Sequence, residues 1–295
     1  MAFVNVNGIK HHYLQQGEGQ DVVLIHGMGG NMSFWYANKA LAGLKGDFRV
    51  TVYDMRGHGY SGFAETGYTS FDLAMDLGGL MEAIGLSNAF LVGHSLGGLV
   101  ALHMAHLFPD LVAGMILAEG NIPALRHLID LEKWPYRKQR EDMLREINPK
   151  LPEILNGFNM YYLEYRLKEL REGKAINDLV DFGMRKGLSI KANPILKLLD
   201  ETTIKTDIKA LAGLTEDCIK KIEQTTLALY GQFSPLIPIC DYLHENMPAC
   251  RRVVVPEACH LFPARLPDQF VQHVRHFLLS VTTEEDQFEN EYATT

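Results

Sequence analysis

Gly93-His94-Ser95-Leu96-Gly97 sets a serine between two glycines, at the junction of an apolar run, Ala89-Phe90-Leu91-Val92, and a helix-like run from Leu96 to Phe108. The glycines lack a β-carbon, so the chain can pass from strand to helix through a turn tight enough to push the Ser95 hydroxyl outward. The same turn points the helix N-terminus, with its free N–H groups and positive dipole end, at whatever bonds to Ser95. A hydroxyl in that setting suits nucleophilic attack on an acyl carbon. It is a weak nucleophile until a base and an anion-stabilising site surround it.

The elements that must hold such a site follow from the apolar pattern. Ala2 to Val6 and Ile9 to Gln15 flank Asn7-Gly8, a hairpin signal. Asp21 to His26 and Phe48 to Asp54 are continuous apolar runs, as expected for strands buried on both faces. Ser70 to Ile84 has helical spacing, with Ser70 as cap and Gly85 as stop. Gly114 to Ala118 is a further strand. Alternation of strand and helix predicts an α/β fold with parallel strands and crossover helices. After Asn121 the pattern turns helical, with stretches at Arg126 to Ile147, Leu151 to Leu170, Ile176 to Lys186, Pro194 to Leu199 and Thr215 to Gln224. Strands resume at Thr226 to Tyr230 and Arg252 to Val255, and a last helix runs from Pro267 to Ser280. The layout is a core of residues 1–121 and 226–282, a helical lid of residues 122–225 inserted between two core strands, and an acidic tail, 283–295.

Bulk properties exclude several roles. At 295 residues the chain can bury one large core plus an insertion. A formal net charge of −8 argues against nucleic acid or an anionic membrane as the main partner. No apolar run is long enough to span a bilayer, and the first residues lack a secretory pattern. Cys218, Cys240, Cys250 and Cys259 are widely spaced and read as free thiols in the cytoplasm. No cofactor is expected. His103 and His106 lie one helical turn apart but lack a third ligand, so no metal site is expected.

Four segments together resemble the α/β-hydrolase superfamily over nearly the whole chain. They are His26-Gly27-Met28-Gly29-Gly30, Asp54-Met55-Arg56-Gly57-His58-Gly59-Tyr60-Ser61, the turn at Ser95, and Ala258-Cys259-His260 after a late strand. The resemblance implies an α/β-hydrolase fold, with a mostly parallel central sheet flanked by helices. It implies Ser95 as nucleophile and His260 as general base. It draws the oxyanion donors from the backbone N–H groups of Leu96 and Met28. In one place the chain departs from the family. The segment that usually carries the acid reads Gly231-Gln232-Phe233-Ser234-Pro235-Leu236-Ile237-Pro238, with Ser234 where an Asp is expected. Glu119 closes the strand after the Ser95 helix. Some dehalogenases and lipases of this fold resemble this chain in taking their acid from that strand. Glu119 is therefore the expected acid, with Asp241 as the alternative.

Asp54 and Arg56 are expected to tie loop backbone together rather than to bind substrate. In the insertion, Phe158, Met160, Tyr161, Tyr162, Tyr165, Phe182 and Met184 read mainly as its own small core. The functional expectation is a serine hydrolase, esterase- or lipase-like, cleaving a small-molecule carboxylic ester through an acyl-enzyme. Thioester, amide and carbon–carbon bond hydrolysis and acyl transfer use the same residues. Because the usual Asp is absent, a ligand-binding or signalling protein on the same scaffold is the rival.

Overall fold

The structure, a computed structural model, describes residues 2–138, 142 and 194–282. It divides into two compact units, Met1–Ile129 with Glu201–Thr295, and Asp130–Asp200. The first holds an eight-stranded sheet in the order β1-β2-β4-β3-β5-β6-β7-β8. The strands are β1 (Ala2–Val6), β2 (Ile9–Gln16), β3 (Asp21–Ile25), β4 (Arg49–Tyr53), β5 (Ala89–His94), β6 (Val112–Ala118), β7 (Thr225–Gly231) and β8 (Cys250–Val255). β1 pairs antiparallel with β2, and β2 with β4; every other pairing is parallel. Asn7 and Gly8 both take positive φ, 50° and 76°, as a tight hairpin needs.

The central strands are fully buried, which explains their unbroken apolar runs. Within them the side chains still alternate. Val22, Leu24, Phe90, Val92, Ile116 and Ala118 share one apolar cluster with Trp35, Leu44, Phe270 and Phe277. Those partners belong to α1 (Ser33–Ala37), α2 (Ala40–Leu44) and α10 (Pro267–Thr282). The right-handed crossover rule sends α3 (Ser70–Ala83), α4 (Leu96–Leu107) and α8 (Ile237–Asn246) to the other face, because their connections run in the opposite direction along the sheet. The parallel strands all end, C-terminally, at one edge. The turns that follow β3, β5, β6, β7 and β8 therefore gather there.

Three helix expectations are corrected or shortened. The cap of α3 is Thr69, not Ser70. Thr69 Oγ1 accepts the Asp72 N–H at 3.2 Å and Asp72 accepts the Thr69 N–H at 3.1 Å, a reciprocal box. Ser70 turns inward to His103, 2.9 Å away. The helix expected from Arg126 is absent at its start. Pro123–Leu128 forms a 3-10 helix and 131–136 are mostly turns. Pro135 removes a backbone donor there and disfavours helix at Trp134. Thr215 caps only a short helix, α7 (Glu216–Ile219), by accepting the Cys218 N–H. Further helices are α5 (Pro194–Glu201), α6 (Ile204–Asp207) and α9 (Phe262–Arg265). The expected stretches Leu151 to Leu170 and Ile176 to Lys186, the aromatic and Met residues named within them, and the acidic tail lie outside the described residues. Among the described residues, no helix is long and apolar enough to cross a membrane.

Candidate active site

Ser95 is the single residue between β5 and α4, and its backbone is strained, with φ 55° and ψ −114°. A non-glycine residue held there costs on the order of 1–3 kcal/mol, so the surroundings must impose it. They do so by close packing. A β-carbon at Gly93 would lie 2.2 Å from Gly97 O, and one at Gly97 would lie 2.1 Å from Ile25 O. Only glycine fits either place. The Ser95 N–H donates to Ala118 O at 2.9 Å, which continues the pairing of β5 with β6 past the strand end.

The turn after β8 carries His260. Its Nε2 lies 3.1 Å from Ser95 Oγ, and its Nδ1 lies 3.1 Å from Glu119 Oε2. With Nδ1–H donating to the carboxylate, Nε2 is the lone-pair atom facing the serine. Residues 95, 119 and 260 thus form one hydrogen-bonded row. Glu119 follows β6, fully buried, at φ 55°. Its N–H donates to Leu229 O at 3.1 Å, fixing the start of the side chain. The carboxylate accepts from three directions: the Gly231 N–H at 2.7 Å on Oε1, and the Ser234 hydroxyl at 2.6 Å and His260 on Oε2. Asp241, the alternative acid, is elsewhere. It lies on α8, is 42% exposed and pairs with Arg252 at 2.6 Å.

Three buried histidines brace the loops around this row. His94 donates from Nε2 to the His260 carbonyl at 2.9 Å, tying the turn after β8 to the end of β5. Burial, then the neighbouring His260 ring, pushes His94 down to about 3, so it is neutral near pH 7. His26 donates from Nδ1 to Gly27 O at 2.8 Å and accepts the Met55 N–H at 3.1 Å. His58 donates to Arg56 O at 2.8 Å and accepts the Gly29 N–H at 3.0 Å. The His26 and His58 rings are each donor on one nitrogen and acceptor on the other, which only the neutral form can be. Burial lowers both, His58 to about 3.

These braces hold the Gly27–Gly30 turn against the serine. A β-carbon on Gly27 would sit 3.3 Å from Ser95 Cβ. Met28 follows directly, and Leu96 is the first residue of α4. No described residue accepts a hydrogen bond from either N–H. Asp54 supports the same region. Its carboxylate accepts the Met32 N–H at 2.7 Å, the Tyr60 N–H at 2.9 Å and His12 Nδ1 at 2.8 Å. Arg56 forms a two-pronged pair with buried Asp76, at 2.6 and 2.7 Å. Both residues are thus bound within the scaffold, as their sequence pattern implied.

Sequence reasoning overlooked Ser234 and the three braces. Ser234 was visible only as a lost acid. His26, His58 and His94 sit inside the motifs themselves, but their partners are backbone groups that no motif records.

The alpha/beta hydrolase fold family matches residues 22–263. The chain belongs to that family. Within it, a pimeloyl-[acyl-carrier protein] methyl ester esterase from Aliivibrio fischeri is 26% identical over 272 residues, covering 90% of this chain and 96% of the relative. RutD from Pantoea ananatis is 41% identical, but over 107 residues, 36% of this chain and 38% of the relative. A relative from Mycobacterium bovis, 35% identical over 121 residues, is likewise matched over only 35% of its length. Among solved structures, a thermophilic esterase from Thermogutta terrifontis superposes with a TM-score of 0.65 at 25% identity, covering 95% of this chain and 99% of that one.

Proposed function

We propose that this member of the alpha/beta hydrolase fold family is a serine hydrolase that cleaves a small carboxylic ester through an acyl-enzyme. The observation that carries the reading is the row Ser95–His260–Glu119, with two 3.1 Å contacts on opposite nitrogens of one imidazole. Ser95 Oγ attacks the acyl carbon while His260 Nε2 takes its proton. The negative oxygen that forms is held by the N–H groups of Met28 and Leu96, each such donor being worth about 3–4 kcal/mol in the transition state. Glu119 keeps the ring in its productive tautomer and balances the charge it acquires. The tetrahedral intermediate collapses, and His260 returns the proton to the departing alcohol. Water then repeats the sequence on the acyl-enzyme and releases the acid.

The A. fischeri and T. terrifontis proteins are esterases by name, which supports an ester over other acyl bonds. The reading uses no cofactor. Residues 122–225, from just after β6 to the first residue of β7, are assigned as the helical lid. The free cysteines fit a reducing, cytoplasmic setting. The rival reading, a binding protein, was motivated by the missing carboxylate at position 234. Glu119 supplies a carboxylate at the required distance, so nothing specific favours that rival.

The test is hydrolysis of 4-nitrophenyl acetate and butyrate under single- and multiple-turnover conditions. A nitrophenolate burst is expected from the wild type. Ser95→Ala is expected to lose turnover by several powers of ten. An inert wild type, or Ser95→Ala turning over as fast as wild type, overturns the proposal.

A further inference from the structure

We infer that Ser234 is a positioning residue for the acid, its hydroxyl holding the Glu119 oxygen that faces His260. The inference rests on the Ser95–His260–Glu119 assignment and adds a residue to it.

Ser234 is fully buried. Its own N–H donates to Gly231 O at 2.9 Å, so the turn that carries it is closed. Its hydroxyl oxygen accepts the Leu236 N–H at 3.1 Å. That contact occupies the oxygen from the backbone side and leaves the hydroxyl hydrogen to point at Glu119. The 2.6 Å separation from Oε2 is that of a hydroxyl donating to a charged acceptor. The same Oε2 takes His260 Nδ1–H. Oε1 is held separately by the Gly231 N–H. The plane of the carboxyl group is therefore fixed at both oxygens before the ring is counted, and Ser234 fixes the oxygen that faces the ring. Swinging Oε2 away from His260 would break the Ser234 contact as well.

The experiment follows Ser95 labelling by a fluorophosphonate, in which the serine oxygen bonds to phosphorus, His260 takes the proton and fluoride leaves. Ser234→Ala and Ser234→Thr are compared with wild type, each checked for native circular dichroism. Ser234→Ala is expected to label about tenfold more slowly at saturating probe, with Ser234→Thr recovering most of the loss. The inference is overturned if Ser234→Ala labels as fast as wild type, or if Ser234→Thr recovers none of the loss. Wild type that fails to label at Ser95 would instead overturn the underlying assignment.

Discussion

Replacing Glu119 by Gln changes one atom and should disable the chemistry while leaving the fold in place. The carboxylate accepts from Gly231, Ser234 and His260. An amide has one accepting oxygen and one donating NH2, so it cannot satisfy all three donors. If its oxygen stays toward His260, the NH2 confronts the Gly231 N–H, and a buried donor left without its acceptor costs about 1–3 kcal/mol. If the amide flips to relieve that contact, the NH2 faces the ring. Nδ1 must then become the acceptor, and Nε2 carries the hydrogen and cannot take the proton of Ser95. An amide in the acid position of a serine hydrolase is known to lower kcat by about 10⁴ through this wrong tautomer. A loss of about 10³–10⁴, equivalent to about 4–5.5 kcal/mol, is expected here in kcat for 4-nitrophenyl acetate, with KM little changed. Asp241→Asn is the control. Its exposed pair with Arg252 is worth less than about 1 kcal/mol, and activity should stay at the wild-type level. Folded Glu119→Gln within threefold of wild type, or a collapse confined to Asp241→Asn, would refute the reasoning.

Other predictions concern the scaffold. Gly97→Ala should unfold the protein or prevent its expression, because the new β-carbon would meet Ile25 O at 2.1 Å; a native thermal unfolding profile would contradict this. Arg56→Ala takes the guanidinium from the buried Asp76 carboxylate, leaving it Asn7 Nδ2 at 3.1 Å and His11 Nε2 at 3.5 Å, and should lower unfolding free energy in urea by about 3 kcal/mol; no change would show the pair to be dispensable. Stability should also fall with acid. His58 and His94 have folded values of about 3, below the ordinary value of 6.5. Between those limits the unfolded chain binds more protons, so stability is full above about 6.5 and is lost as pH drops toward 3. Each such group adds about 1.4 kcal/mol per pH unit to the slope. Urea midpoints that are equal at pH 7 and pH 4.5 would rule this out.

The legible part of the fold and site was what short spacing encodes. Gly93 and Gly97 flank Ser95 closely enough that the steric demand is written into the sequence, and the apolar runs announced the parallel strands. Glu119 was readable as the candidate acid because it ends one such run. What was not legible depends on partners far apart in the chain. The contact of Ser234 with Glu119 spans 115 residues, and nothing at position 234 distinguishes a serine that orients an acid from one that merely replaced it. His94 donates to a carbonyl 166 residues away, and carbonyls carry no sequence signal. The error at Thr69 and Ser70 was local. Both are good caps, and the decisive residue was Asp72, three positions after Thr69. Pro135 was a readable warning against continuous helix from Arg126.

The account predicts a covalent acyl group on one atom. Acid-quenching the protein during turnover of 4-nitrophenyl butyrate and mapping its peptides by mass spectrometry tests this directly. A butyryl adduct on the peptide containing Ser95, absent from Ser95→Ala, is the predicted result. Turnover with no adduct on Ser95, or with the adduct on another side chain, would contradict it.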